Sequence, residues 1–211
     1  KRALEWTKKY CKECFDKNPE WIQKDRKTKD EQWEFTVKMY CIIKDLMRGN
    51  DAIAEKFPEE SLGHNAICAG FQGQRQWTDH WPNCDFPEAV LSSSFDYEGV
   101  RDPYVLATEN DVLNGLGMMF EKQLTGRAAM FSDVRTCWNG ESVKRVTGYE
   151  IEGHAKDSDG FIHLINSGAS AIDFSGEAVN EKGEHEVKRW WEVTEEDQKN
   201  ILAATEWAPA D

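Results

Sequence analysis

Two short apolar runs, each stopping at a carboxylate, constrain this chain more than any other feature. Tyr104-Val-Leu-Ala-Thr ends at Glu109, and Ala128-Ala-Met-Phe-Ser ends at Asp133. Between them, Val112 to Leu124 carries apolar residues at helical spacing and stops at Gly126, so the order reads strand, helix, strand. If the two strands are neighbours in one parallel unit, a right-handed crossover brings both carboxylates out at the carboxyl ends of the strands, where open α/β sheets keep their ligands. Strands about 4.8 Å apart let both acids reach one divalent cation, for which carboxylate oxygens are suitable donors. Either acid by itself reads equally well as a solvated or helix-capping residue. Asp111, at the helix start, is a favourable charge for the helix dipole. The fold class expected is α/β.

A chain of 211 residues holds one large or two small domains. With 26 Lys and Arg against 39 Asp and Glu, the formal net charge is −13. Such a field opposes binding to a phosphate backbone, so no nucleic-acid partner is expected. No apolar run approaches the roughly 20 residues that cross a bilayer, and Lys1 to Tyr10 reads as a charged amphipathic helix rather than a signal sequence. A soluble protein with no membrane partner is the expectation. Cys11, Cys14, Cys41, Cys68, Cys84 and Cys137 lack the density of a disulfide scaffold and read as reduced thiols. Cys11 and Cys14 form a C-x-x-C without a second pair, which helical spacing produces by accident.

Helical periodicity runs from Leu4 to Phe15 and again from Asp30, a candidate cap, to Met47, with Gly49-Asn50 as the stop. The second helix carries apolar residues over a wide face and is expected to be largely buried. Ser61 to Cys84 has neither period and is rich in Gly, Gln, Trp, His and Arg. Close backbone approach, oriented amides and flat apolar rings suit a polyhydroxylated ligand; an irregular loop packed by its own aromatics has the same composition. Gly160 to Gly168 reads as a third strand with Asn166 and Ser167 at its end and His163 hydrogen-bonded inside it. Gly176 to Lys188 reads as an exposed hairpin or loop, and Glu195 to Ala204 as a helix. There is no phosphate loop, dinucleotide fingerprint, nucleophile elbow or H-E-x-x-H pair.

Seven blocks, in order, carry a resemblance. They are Glu60-Ser-Leu-Gly-His-Asn-Ala-Ile, Gly70-Phe-Gln-Gly-Gln-Arg-Gln-Trp-Thr-Asp79, Ala107-Thr-Glu-Asn-Asp111, Leu124-Thr-Gly126, Asp133-Val-Arg-Thr136, His163-Leu-Ile-Asn-Ser-Gly168 and Ala204-Thr-Glu-Trp207. Together they resemble the L-fucose isomerase family, over the middle of its polypeptide. The resemblance implies a hexameric, cytoplasmic, Mn2+-dependent aldose–ketose isomerase that converts L-fucose to L-fuculose and accepts D-arabinose. It implies that Glu109 and Asp133 are metal ligands that also serve the proton transfers. Gln72 matches a substrate-contacting glutamine and Ser167 a residue of the sugar site, with Asn166 included by adjacency.

It further implies that residues 1–125 are the carboxyl-terminal part of a second, Rossmann-like α/β domain and that 126–211 begin a third domain. The two carboxylates would then meet across a domain junction rather than within one strand–helix–strand unit. A third ligand in the family is a histidine downstream of Trp207, and none of His64, His80, His154, His163 or His185 lies in a matching segment. The expected partners are an aldose and either further copies of the chain or the remaining domains of the same polypeptide. A noncatalytic assembly element of isomerase ancestry is the alternative, and a metal-dependent hydrolase is disfavoured by the lack of a second metal cluster.

Overall fold

The computed structural model describes residues 1–71, 84–166 and 169–208. Contacts along the chain define two units, Lys1–Phe131 together with Gly168–Asp211, and Ser132–Ser167. In the first, helix α1 (Arg2–Tyr10) stops short of the expected Phe15 because Cys11 turns extended and Lys12–Glu13 form a short strand, β1. Cys11 and Cys14 therefore do not share a helix face, and all six cysteines are free thiols. Helix α2 (Arg26–Arg48) begins before Asp30, since Asp25 takes the cap and accepts a hydrogen bond from the Thr28 amide at 2.7 Å. It ends at Gly49, whose φ of 85° suits glycine. The expectation that α2 is largely buried needs correction. Thr36, Val37, Tyr40, Lys44 and Met47 are buried, whereas Ile42 is 58% exposed; this is one covered stripe of an amphipathic helix.

The chain then forms β2 (Cys68–Gly70), α3 (Asp85–Leu91), a hairpin of β3 (Phe95–Asp96) and β4 (Gly99–Val100), β5 (Val105–Ala107) and α4 (Val112–Thr125). Strands β2 and β5 are parallel, with Cys68, Ala69 and Gly70 opposite Val105, Leu106 and Ala107. Successive residues of β5 serve different cores. Leu106 joins Val37, Tyr40, Phe86, Val90 and Leu91, while Val105 and Ala107 join Met118, Ala129 and Phe131. Both faces of the strand are thus covered by helices, as a parallel sheet requires. Full burial of side chains such as Leu106 contributes about 1.5–3 kcal/mol each.

A charged network ties α2 to the β3–β4 hairpin. The Asp96 carboxylate accepts from Tyr40 and Lys44 at 2.6 Å and from Arg101 at 2.7 Å, and Lys44 also donates to Glu98 at 2.7 Å. Burial alone would raise the Asp96 carboxyl, but Arg101 and Lys44 outweigh it and hold the group at about 2.

In the second unit, β6 (Asp133–Trp138) and β7 (Phe161–Ile165) are antiparallel, joined through α5 (Gly140–Thr147) and α6 (Gly153–Asp157). This overturns the strand–helix–strand reading, because β5 pairs with β2 and β6 pairs with β7. Asp133 is the first residue of its strand, not the last. The run before it is not a strand; Ala128, Ala129 and Phe131 are apolar because they fill the core, and a short buried run cannot be told from a strand by periodicity.

Residues 169–208 return to the first unit. Ile172 donates its amide to the Ser93 hydroxyl at 2.8 Å, and Ser94 donates to Asp173 at 3.0 Å. Ile172, Val193, Ile201 and Leu202 pack with Ala89 and Phe95. Helix α7 (Glu195–Ala204) has the bounds expected, closed by reciprocal Thr194–Asp197 capping, and β8 (Glu206–Trp207) pairs in parallel with β1. The charged stretch before α7 contains a turn gathered by Asn180, with a bridge between Val179 and His185, as the loop reading expects.

Candidate active site

Strand β5 ends at Ala107, and the three residues after it turn sharply before α4 begins. Glu109 and Asn110 both take left-handed backbone conformations, with φ of 57° and 60°. Each such non-glycine residue costs about 1–2 kcal/mol, and consecutive ones persist only where the surroundings over-determine them. Here they do. A Cβ on Gly70 would lie 2.7 Å from the Ala107 carbonyl oxygen and 2.8 Å from the Asn110 Cα, so only glycine lets β2 approach the turn. Gly115 does the same for α4, where a Cβ would lie 3.1 Å from Ala107 Cβ and 3.3 Å from Cys68 Sγ. The turn closes with the Asp111 amide donating to Thr108 at 3.2 Å.

The side chain of Thr108 is buried and donates to Glu88 Oε2 at 3.0 Å, while the Cys84 thiol lies 3.5 Å from Glu88 Oε1. Glu88 is 1% exposed and makes no ion pair with a cation among the described residues. Burial, reinforced by the negative charges of Asp85 and Glu109, pushes its carboxyl up to about 7. The Glu109 side chain, in contrast, is exposed at the mouth of the turn, and among the described residues no hydrogen bond or ion pair engages it.

In the other unit, Asp133 is half-buried and accepts from Arg135 Nη2 at 3.0 Å. The ladder slips between Val134 and Thr136, so Arg135 is the extra residue of a bulge, a device that re-aims side chains beside sites. Asp133 faces Ile165 in the register, which places Asn166 next to it at the end of β7. His163 is half-buried and lies 3.5 Å from Trp138 Nε1 through its Nδ1, consistent with a hydrogen-bonded strand residue. Gln72 and Ser167 lie outside the described residues. Among the described residues, no group of three His, Cys, Asp or Glu gathers as a metal cage.

Residues 1–126 match the family described as L-fucose isomerase, second N-terminal domain. The chain belongs to the L-fucose isomerase family. It is 54% identical over 215 residues to the L-fucose isomerase of Bacteroides thetaiotaomicron, a match covering all of this chain and 36% of that protein. The L-fucose isomerases of Vibrio vulnificus and Streptococcus pneumoniae are 52% and 50% identical, each over 99% of this chain and 35% of the relative. The chain therefore spans about a third of the length of the curated relatives it matches. No helix among the described residues is long and apolar enough to cross a membrane.

The apolar runs ending in carboxylates drew attention to Glu109 and Asp133, whereas Glu88 and the buried Thr108 hydroxyl drew none. A signal was present, because Glu88 is the lone acid inside the apolar run Phe86-Pro-Glu-Ala-Val-Leu91.

Proposed function

We propose that the chain is part of a metal-dependent aldose–ketose isomerase that interconverts L-fucose and L-fuculose, and D-arabinose and D-ribulose, through a cis-enediol. Identity of 54% along the whole chain to a protein named L-fucose isomerase is the observation that carries this reading. The donor chemistry fits Mn2+. Among the described residues, no hydrogen bond or ion pair engages the Glu109 carboxylate on its braced turn, and Asp133 engages Arg135 through one oxygen. Glu109 and Asp133 would hold the ion with a ligand from elsewhere in the polypeptide. When bound, the metal supplies Lewis-acid stabilisation of the charge developing on O1 and O2 of the sugar.

What the chain's own groups do follows from acid–base chemistry. Conversion of aldose to ketose removes a proton from C2 and returns one to C1, which suits a carboxylate held near both carbons. Glu109 and Asp133 are the groups assigned to that transfer. Arg135 keeps Asp133 oriented through its hydrogen bond at 3.0 Å. Gln72, Asn166 and Ser167 are assigned to the sugar hydroxyls, for which amide and hydroxyl groups are apt donors and acceptors. The reach of the family match to residue 126 supports a division into a Rossmann-like part, 1–125, and the start of another domain, 126–211. Exposed Leu113, Phe120 and Leu124 on α4 support burial against further chain, in keeping with a cytoplasmic homohexamer. No observation favours a noncatalytic role.

The test is ketose formation from L-fucose and D-arabinose by the full-length polypeptide, after chelation and after Mn2+ is restored. Turnover that returns with Mn2+ supports the reading; turnover on neither sugar at any metal load contradicts it.

A further inference from the structure

A buried acid with no cation paired to it among the described residues is costly to keep, and nothing in the packing of α3 asks for one at Glu88. Its neighbours in that helix, Phe86, Ala89, Val90 and Leu91, are core residues with at most 5% exposure. What Glu88 does reach is the turn that carries Glu109. Its Oε2 accepts from the Thr108 hydroxyl at 3.0 Å, across 20 residues of sequence, with both residues 1% exposed. Thr108 is the last residue before the left-handed pair Glu109 and Asn110. Gly70 packs against the same turn, against Ala107 and Asn110 backbone atoms. The turn is thus held from β2 by steric contact and from α3 by a buried hydrogen bond.

We propose that Glu88 is a positioning residue for Glu109: through Thr108 it fixes the turn beyond β5 in the conformation that presents the Glu109 carboxylate. The inference rests on the reading of Glu109 as a metal ligand. Groups that orient ligands from behind govern affinity without touching the ion, and their loss weakens binding roughly ten- to a hundredfold.

The test uses the full-length polypeptide, with Mn2+ affinity by calorimetry and thermal unfolding measured on the same samples. Replacing both partners by apolar groups of similar shape, E88M with T108V, removes the hydrogen bond and leaves only the weakly polar Cys84 thiol without its Glu88 acceptor. The double variant is expected to unfold at or above the wild-type temperature and yet to bind Mn2+ roughly tenfold to a hundredfold more weakly. E88Q and T108S, which keep an acceptor and a hydroxyl, are expected to bind like wild type. Should the double variant fail to fold, T108V read against T108S decides the same point. Wild-type affinity in E88M/T108V, or in T108V where that is the variant read, overturns the proposal. E109Q separates the two levels: loss of binding there with unchanged affinity in the double variant sinks only the role of Glu88, whereas unchanged affinity in E109Q sinks the ligand reading and this inference with it.

Discussion

Glu109 and Asp133 sit in very different surroundings. The turn bearing Glu109 rises from a strand that is buried on both faces, closed by two tightly packed glycines and anchored through Thr108 to α3. The strand bearing Asp133 belongs to a two-stranded antiparallel pair whose apolar residues face outward, with Val134 68%, Ile162 61% and Leu164 52% exposed. Two strands without further cover are marginal in water. One carboxylate is therefore preorganised by its own unit, whereas the other has an oriented partner, Arg135, on a scaffold with little core of its own. The contrast teaches that the two proposed ligands differ in support: a strained, well-braced turn for Glu109 and an exposed pair of strands for Asp133.

The largest effect expected is on turnover. In the full-length polypeptide, E109Q and D133N should each lower kcat/KM for ketose formation on the order of a thousandfold. A loss confined to one variant would break the pairing of the two regions.

Next in size is the core behind Glu109. Removing Asp96 takes one of two carboxylate partners from buried Lys44 and the shared acceptor from Tyr40 and Arg101, so D96A should destabilise the first unit by about 3–5 kcal/mol in urea unfolding. Hydrogen exchange should then quicken at Val105 to Ala107 and stay unchanged at Val134 to Trp138. In the wild type, the β6–β7 amides are expected to exchange faster than those of β5.

Glu88 makes the first unit sensitive to pH. Its carboxyl is raised from the ordinary 4.5 to about 7, chiefly by burial, so the folded state holds that proton more tightly than the unfolded one. The stabilisation is complete below about 4.5 and disappears as pH rises through about 7, amounting to roughly 3 kcal/mol. E88Q should flatten this limb of the stability profile, and an unchanged profile would show that another group sets it.

The smallest effect sharpens the contrast most. Because Glu109 takes a φ of 57°, E109G should raise thermal stability by about 1 kcal/mol while removing Mn2+ binding. A stability loss would mean that the turn is not strained at Glu109.

Much of the first unit could be read from the chain itself. Helix α4 with its Gly126 stop, helix α7 with its Thr194 cap and the short strand before Glu109 all carry local signals that agree with the packing. Pairing could not be read so directly. The apolar run before Asp133 fills a core rather than a sheet, and the true partner of β6 lies at Phe161 to Ile165, a non-local choice that periodicity does not encode. The cap of α2 moved to Asp25 because Asp25 and Asp30 are chemically equivalent candidates. For the candidate site, the left-handed turn was not legible: Asn110 favours such a conformation, but nothing in the sequence places Glu109 there without the close approach of Gly70.

The most direct test of the central claim, that Glu109 and Asp133 ligate one cation, is calorimetric titration of the full-length polypeptide with Mn2+ beside E109Q and D133N. The account predicts one ion per wild-type polypeptide and loss of that binding in both variants, with each still folded. Wild-type stoichiometry and affinity in either variant would contradict it.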